Sequence, residues 1–504
     1  MKKLNFKKIN LSRTFLLGKQ KYNKSQFMTS PKQNFENKKK VLDKIHFIGI
    51  GGIMMSALGL YFLSQGKIVS GSDRDTTEIT DKLISQAVKV HFGHNAQNIP
   101  DNADLVIYTA AVSDDNPELA QAKKLKIPLR TVYQLLGEFS ISKYTISISG
   151  MHGKSTITSM LGLIAEKANL DPTVFVGANI KEWQSNFRAG SSKYLITEAC
   201  EYKDNFLSLV PDILVINNIE EEHLDYFKNI DNIKKSFLKL IYNIKDNGIL
   251  VINADDKLVV ELSKNFKGQV ITYGLKNKAD FRANNLKTNS HGETEFTLNY
   301  FPRDPSTSLT RSSLASLGMT LGVPGIFNVY NALAAIAASS ALGIKLNNTK
   351  KVLENFTGIW RRFEFVGEKN GIQIYDDYAH HPTEIKATLT AAKEKFKNKN
   401  FWVVFQPHLY SRTKDFLNEF ADSLNLAPHL IITDIYAARE KNECNISSKD
   451  LAELINKKYK RKNPATYIAG LDEVGIFLKK NLRNDDILLT MGAGDVFKAG
   501  NLYH

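Results

Sequence analysis

A chain of 504 residues is too long for one ordinary hydrophobic core and predicts roughly two to four domains. With 43% hydrophobic and 24% charged residues it reads as a soluble globular protein, and no apolar run approaches the ~18 residues that span a bilayer, so no membrane insertion is expected. The net charge of +15 suggests a nucleic-acid binder, but twelve Lys/Arg against one acid in residues 1–40 account for +11, leaving +4 for everything else, so no nucleic-acid partner is expected.

That basic tail is rich in Lys, Asn and Ser, has little apolar periodicity, and predicts a mostly disordered segment over 1–40. Phe15-Leu16-Leu17 is too short an apolar stretch for a signal peptide, and a start at Met28 would remove most of the tail. Cys200 and Cys444 cannot build a disulfide framework, which fits a reducing cytoplasm.

Order is expected from Val41. Lys44–Ile48 reads as a buried strand, followed by Gly49-Ile50-Gly51-Gly52, a helical stretch from Met54 to Gln65, and strands at Ile68–Asp73 and Leu105–Thr109. Strands alternating with helices predict a parallel α/β sheet. A second unit opens at Tyr144–Ser149, with further strands at Tyr194–Thr197, Ile213–Asn217, Ile249–Asn253 and Val270–Tyr273; segment 280–322 alternates polar and apolar residues, as an antiparallel excursion would. A third unit from Gly358 has strands at Ile372–Asp376, Phe401–Phe405, Leu430–Thr433 and Ile487–Met491.

The strongest chemical signal is Gly150-Met151-His152-Gly153-Lys154-Ser155-Thr156, between a strand and the helical pattern 156–167. Its glycines let backbone N–H groups face phosphate oxygens, the helix N-terminus favours anions, Lys154 can reach terminal phosphates, and the Ser155 hydroxyl can ligate Mg²⁺. Gly49–Gly52 is a weaker signal: with Asp73 at the place of a ribose contact it also allows a dinucleotide site. Glu198 and His223 follow strands of the unit that carries the phosphate loop, where they could ligate magnesium or orient a nucleotide. Asn328 and Asn331 share a face near a helix start, where helix capping is the plain alternative; Arg361-Arg362 suits an anion clamp; and Asp376-Asp377-Tyr378-Ala379-His380-His381-Pro382 is a dense polar cluster after a strand.

In this order the motifs resemble the Mur ligase family over about residues 44–496. The segments Gln406-Pro407-His408-Leu409-Tyr410-Ser411-Arg412-Thr413, Asp434–Glu440 and Gly492–Asp495 are similar to its alanine-adding branch. The resemblance implies three consecutive α/β domains, Rossmann-like, P-loop ATPase-like and Rossmann-like, drawn here as 41–140, 141–357 and 358–504. They would respectively hold a uridine-nucleotide sugar, hold ATP, and close over both. It also implies a cytoplasmic enzyme of peptidoglycan synthesis, monomeric or weakly dimeric, that joins L-alanine to UDP-N-acetylmuramate through an acyl phosphate.

Carried over by motif position, Gly51, Gly52, Ser56, Ser72, Asp73, Thr109 and Ala110 would lie near the UDP sugar. The loop Gly150–Thr156 with Asn328 and Asn331 would hold ATP. Ser155, Glu198 and His223 would serve Mg²⁺, and Lys154, Glu198, His223, Arg362 and Asp377 would be catalytic. His380, His408 and Arg412 would face the acceptor amino acid. The sequence departs from the family pattern at Met54, Met151, Phe327 and Leu409, which stand for a usual Gly, Thr, His and Arg.

Overall fold

The computed structural model describes residues 42–502 except 110, 290–291, 302–314, 398 and 439, together with 14–17 and 20–23 of the tail. Thr14–Leu17 pairs antiparallel with Gln20–Asn23, a local order the composition did not signal. The rest of the expectation for 1–40, and Ala110, lie outside the described residues.

Three sheets follow one another, as the alternation of strands and helices predicts. The first has five strands in the order Lys89–Phe92, Ile68–Asp73, Lys44–Ile48, Leu105–Tyr108, Leu129–Thr131, all parallel. The chain runs outward from its first strand in both directions, the Rossmann order, so the Gly49–Gly52 loop sits at the switch point where such sheets bind ligands.

The central sheet has ten strands: Ser185–Arg188, Thr173–Ile180, Tyr194–Glu198, Tyr144–Ser149, Ile213–Ile216, Ile249–Asn253, Gln269–Gly274, Phe281–Thr288, Thr294–Tyr300, Ala315–Leu321. From Thr173–Ile180 to Phe281–Thr288 neighbouring strands are parallel. Ile213–Ile216 is buried at every position, as a strand covered on both faces must be. The last three strands form the predicted antiparallel excursion; Thr294–Tyr300 alternates buried Phe296 and Leu298 with half-buried neighbours. Helix Lys154–Lys167 lies against helix Ile326–Ala341, whose segment 332–338, five of its seven residues alanine, is fully buried and permits close approach.

The third sheet has six strands in the order Glu364–Lys369, Ile372–Asp377, Ile487–Met491, Phe401–Phe405, His429–Ile432, Thr466–Tyr467, parallel apart from its first pair. The short strands Lys89–Phe92, Leu129–Thr131, Ser185–Arg188 and Thr466–Tyr467 escaped the sequence reading, because two to four residues carry too little periodicity. Among the described residues no helix is long and apolar enough to cross a membrane.

Candidate active site

The phosphate loop leaves the middle of the central sheet, between strands ending in Glu198 and preceding Asn217-Asn218. Gly150 (φ +131°) and Gly153 (φ +88°) take backbone conformations that side chains disfavour. Behind the loop, Asn217 donates to the His152 carbonyl (2.9 Å), as does Asn218 (3.1 Å), and the Asn218 side chain accepts the His152 N–H at 2.8 Å. Asn217 also donates to Asn331 (3.3 Å) and accepts the Tyr273 hydroxyl (2.6 Å), while Asn331 donates to Asn328 (3.2 Å). The asparagine pair is therefore a buried brace beneath Gly153 rather than a set of outward-facing donors; Asn328 itself donates back to Pro324.

Lys154 opens the helix and turns back on the loop. Its ammonium donates to the carbonyls of Gly150 (2.6 Å) and Met151 (2.9 Å) and pairs with Glu201 at 3.0 Å. Burial opposes its charge, but the Glu201 carboxylate outweighs that and raises its pKa. Glu201, named in the sequence only as a neighbour of Glu198, thus balances the loop lysine, and His223 Nε2 lies 3.4 Å from it.

The predicted metal set divides. Ser155 stands beside Glu198, which accepts the Gly177 N–H, and burial raises the pKa of that carboxyl against these neighbours. A hydroxyl and a carboxylate side by side suit a hard cation such as Mg²⁺, which prefers oxygen donors. His223 is linked to them through Glu201 and Lys154.

A further trio, His152, Glu222 and His381, places ligand atoms within 4.8 Å of one another. Hydrogen bonding argues against a metal there. His381 Nδ1 accepts the Thr383 N–H (3.4 Å), so Nε2 carries the proton. His152 is held between Glu384 (Nδ1, 3.1 Å) and Glu220 (Nε2). Burial opposes charge on His152, yet the two carboxylates push its pKa up to about 10.

These contacts cross to the third domain, where the two arginines separate. Arg361 is buried: it donates to Asp376 (2.6 Å) and to the carbonyls of Gly494 (2.9 Å) and Gly492 (2.7 Å), and holds that domain together. Arg362 turns to the seam, 3.4 Å from Glu384 with its guanidinium over Tyr378. Asp377 accepts the N–H groups of Phe363 (2.9 Å) and Ala379 (2.7 Å); burial, against the nearby Arg362 charge, raises its pKa to about 6.

His380 donates through Nδ1 to the Tyr378 carbonyl (3.0 Å), and His408 Nδ1 accepts from Arg412 (3.2 Å). Burial holds both imidazoles neutral, with pKa values of about 4 and about 3, and their rings meet at 5.8 Å. Arg412 reaches back across the seam to buried Glu222 at 3.0 Å.

In the first domain, Asp73 accepts the Gly51 N–H at 2.7 Å through one carboxylate oxygen and the Arg74 N–H at 2.8 Å through the other. A Cβ on Gly51 would meet that carboxylate, one on Gly49 would meet Thr109, and one on Gly52 would come 3.4 Å from the Gly49 carbonyl. Ser56 bonds Ile53 (2.9 Å) and accepts from Asn186 of the central domain (3.4 Å). Ser72 points inward and donates to Glu118 (2.6 Å), whose carboxylate also meets His46, His94 and Asn98. The hydroxyls of Ser56 and Ser72 are therefore spent inside the protein. Glu118 carried a readable signal as the Glu following an Asn-Pro helix start. Glu384 did too, three residues after the helix cap His381.

A phosphate loop on a parallel sheet, flanked by a Rossmann-like domain and an arginine- and histidine-bearing third domain, defines an ATP-using enzyme of P-loop type. Three successive matches name its family: residues 44–144 match the Mur ligase family catalytic domain, 148–339 the Mur ligase middle domain, and 361–494 the Mur ligase, glutamate ligase domain. The chain belongs to the Mur ligase family. It is 45% identical over 458 residues to a UDP-N-acetylmuramate–L-alanine ligase of Alkaliphilus metalliredigens (90% of this chain, 96% of that one), and 46% identical over 462 residues to one of Acetivibrio thermocellus (91% and 95%). The crystal structure of the UDP-N-acetylmuramate–alanine ligase of Thermotoga maritima superposes with a TM-score of 0.75 at 30% identity, covering 91% of this chain and 97% of the other. A murein peptide ligase of Psychrobacter arcticus shares the fold at 23% identity (TM-score 0.68; 92% and 98% covered).

Proposed function

We infer that this chain is an ATP-dependent carboxylate–amine ligase that joins L-alanine to the lactyl carboxylate of UDP-N-acetylmuramate, releasing ADP and phosphate, in peptidoglycan precursor synthesis. The observation that carries the reading is that the phosphate loop and the Arg362, His380, His408, Arg412 cluster meet across one seam, joined by the His152–Glu384 and Glu222–Arg412 contacts. The relatives named for this reaction align over nine-tenths of the chain.

A carboxylate resists attack by an amine because oxide is a poor leaving group; transfer of the γ-phosphoryl group gives an acyl phosphate, from which phosphate leaves as the amide forms. The protein's part is positioning and neutralising charge. Lys154, now paired with Glu201, would turn to the phosphates that take over its counter-charge role. The N–H groups at the helix start, from Gly153 to Thr156, would receive the phosphate oxygens, over the brace of Asn328 and Asn331, those of Met151 and His152 being given to Asn218. Ser155 and Glu198, with His223 behind Glu201, would hold Mg²⁺, which when bound offsets charge on the transferring phosphoryl group. Arg362 and Asp377 would hold the nucleotide from the third domain. His380, His408 and Arg412 would hold alanine: the guanidinium suits its carboxylate, and the neutral His380 imidazole can accept a hydrogen bond from its ammonium. Gly51, Gly52, Asp73, Thr109 and Ala110 would line the uridine-nucleotide end, with Ser56 and Ser72 shaping it from behind.

Phosphate release measured with UDP-N-acetylmuramate and ATP, plus either alanine or murein tripeptide, tests this. Release with alanine is expected. Release with tripeptide alone would move the chain to the recycling branch, and none with either would end the ligase reading.

A further inference from the structure

We propose that Glu384 is a positioning residue that ties the phosphate loop to the third domain, setting His152, Arg362 and His380 in one geometry as the cleft closes. The proposal rests on the ligase reading above. Glu384 begins the helix Pro382–Lys395 and completes its capping box. That ordinary duty uses one carboxylate oxygen, Oε2, which accepts the N–H of His380 (3.1 Å) and of His381 (3.3 Å). The other, Oε1, does nothing for the helix. It accepts from His152 Nδ1 of the phosphate loop at 3.1 Å and faces Arg362 at 3.4 Å.

A cap alone therefore leaves half of the carboxylate unexplained. The unexplained half is buried, its side chain 12% exposed, and is aimed at two cationic groups, one of them on another domain. Oε2 also lies 3.4 Å from His380 Nδ1, so the same group helps to fix which His380 nitrogen carries the proton and leaves Nε2 as the acceptor. Burial opposes the charge of Glu384, but the cationic His152 and Arg362 beside it hold its pKa well below the carboxylate range. Thr383 strengthens the same seam by donating to Glu220 (2.9 Å), the second carboxylate on His152. A loop filled with nucleotide would thus be coupled to the third domain through the Glu384 carboxylate, beside the Thr383–Glu220 and Arg412–Glu222 contacts.

The test uses the full-length protein and the substitutions Glu384→Gln and His152→Gln, singly and together. Glutamine keeps the volume and one capping oxygen but removes the charge. If Glu384 only caps its helix, Glu384→Gln matches the parent in kcat and in KM for ATP. If it positions the seam, loss of charge-assisted bonds lowers kcat/KM for ATP by roughly tenfold or more, with KM for the UDP sugar unchanged. The double variant should then lose little beyond the worse single one, because both break one link. Parent-like kcat/KM for ATP, or fully additive losses, would overturn the proposal. Should Glu384→Gln not fold, His152→Gln alone decides, with the same ATP-specific loss expected and parent-like kinetics overturning it. A parent that forms no ADP would end the ligase reading instead; ADP affinity of the variants would still decide the link, unchanged affinity refuting it.

Discussion

Replacing Gly153 by alanine puts one methyl group where the structure has no room for it. The φ of +88° is a left-handed conformation, which costs a residue with a Cβ about 1–2 kcal/mol. The new Cβ would stand 2.3 Å from Asn331 Oδ1 and 2.7 Å from Asn217 Nδ2. Neither amide can swing aside freely: Asn217 is held by Tyr273 and the His152 carbonyl, Asn331 by Asn328. Relief breaks the Asn217–Asn331 bond or displaces the loop, a further ~1–2 kcal/mol. The sum of about 2–4 kcal/mol corresponds to a nucleotide affinity roughly thirtyfold to several hundredfold weaker if the strain stays in the loop. Titration calorimetry with ADP reads this directly. Gly318→Ala is the control: it lies in a strand, its φ is ordinary, and its Cβ would meet nothing within 4 Å. Parent-like ADP affinity in Gly153→Ala, with Gly318→Ala also unchanged, would refute the reasoning that the asparagine brace fixes the loop.

Arg361→Met should leave Asp376 buried without its counter-charge and cost about 3–5 kcal/mol, seen as a lowered thermal midpoint of the third domain. Glu118 is held at a pKa of about 2, where burial would raise it but bonds from His46, Ser72 and Asn98 prevail. Because that value is depressed, its stabilisation is present above the ordinary carboxylate pKa of 4.5 and is lost as pH falls towards about 2; Glu118→Gln should flatten this acid limb in calorimetric scans. His152 carries the opposite sign: with a pKa raised from 6.5 to about 10, its contribution is complete below the lower value and fades as pH rises through the higher one. The midpoint difference between the parent and His152→Gln should therefore shrink at alkaline pH, and a constant difference would contradict the two-carboxylate clamp.

Much of the architecture was legible because buried apolar runs stand out, although the strands Thr173–Ile180 and Glu364–Lys369 went unread. Lys44–Ile48, Tyr144–Ser149, Phe401–Phe405 and Ile487–Met491 are the strands that hydrophobic runs predict, and the antiparallel excursion shows as alternation. Of the site, the phosphate loop was legible because its glycines answer a local backbone need. What sequence withheld was pairing. Glu201, Glu220 and Glu222 are ordinary acids in the string and acquire a role only when Lys154, His152 and Arg412 are brought to them from elsewhere, while Glu384 is legible as a helix cap but its pairing with Arg362 is not. The same holds for Arg361 and Arg362: adjacent in sequence and alike in chemistry, they face opposite ways, one into the third domain's core and one into the seam.

The departures from the family pattern follow the same division between backbone and side chain. Met151 ties the loop down with its N–H, donated to the Asn218 carbonyl at 3.3 Å, and sends its side chain into the core, so an apolar residue there leaves that tie intact. Leu409 has φ +71° and ψ 136°, a conformation that strains any residue with a Cβ. It is held there because its N–H donates to Tyr436 (3.0 Å) and its carbonyl accepts the Thr413 hydroxyl (2.7 Å), while His408 bridges to Tyr436. This strained turn starts the helix that brings Arg412 within 3.2 Å of His408. The geometry that Arg412 would offer an amino-acid carboxylate on the proposed reading is thus built from main-chain bonds around residue 409, and the leucine side chain that replaces a usual arginine removes a charge without removing the turn that aims Arg412.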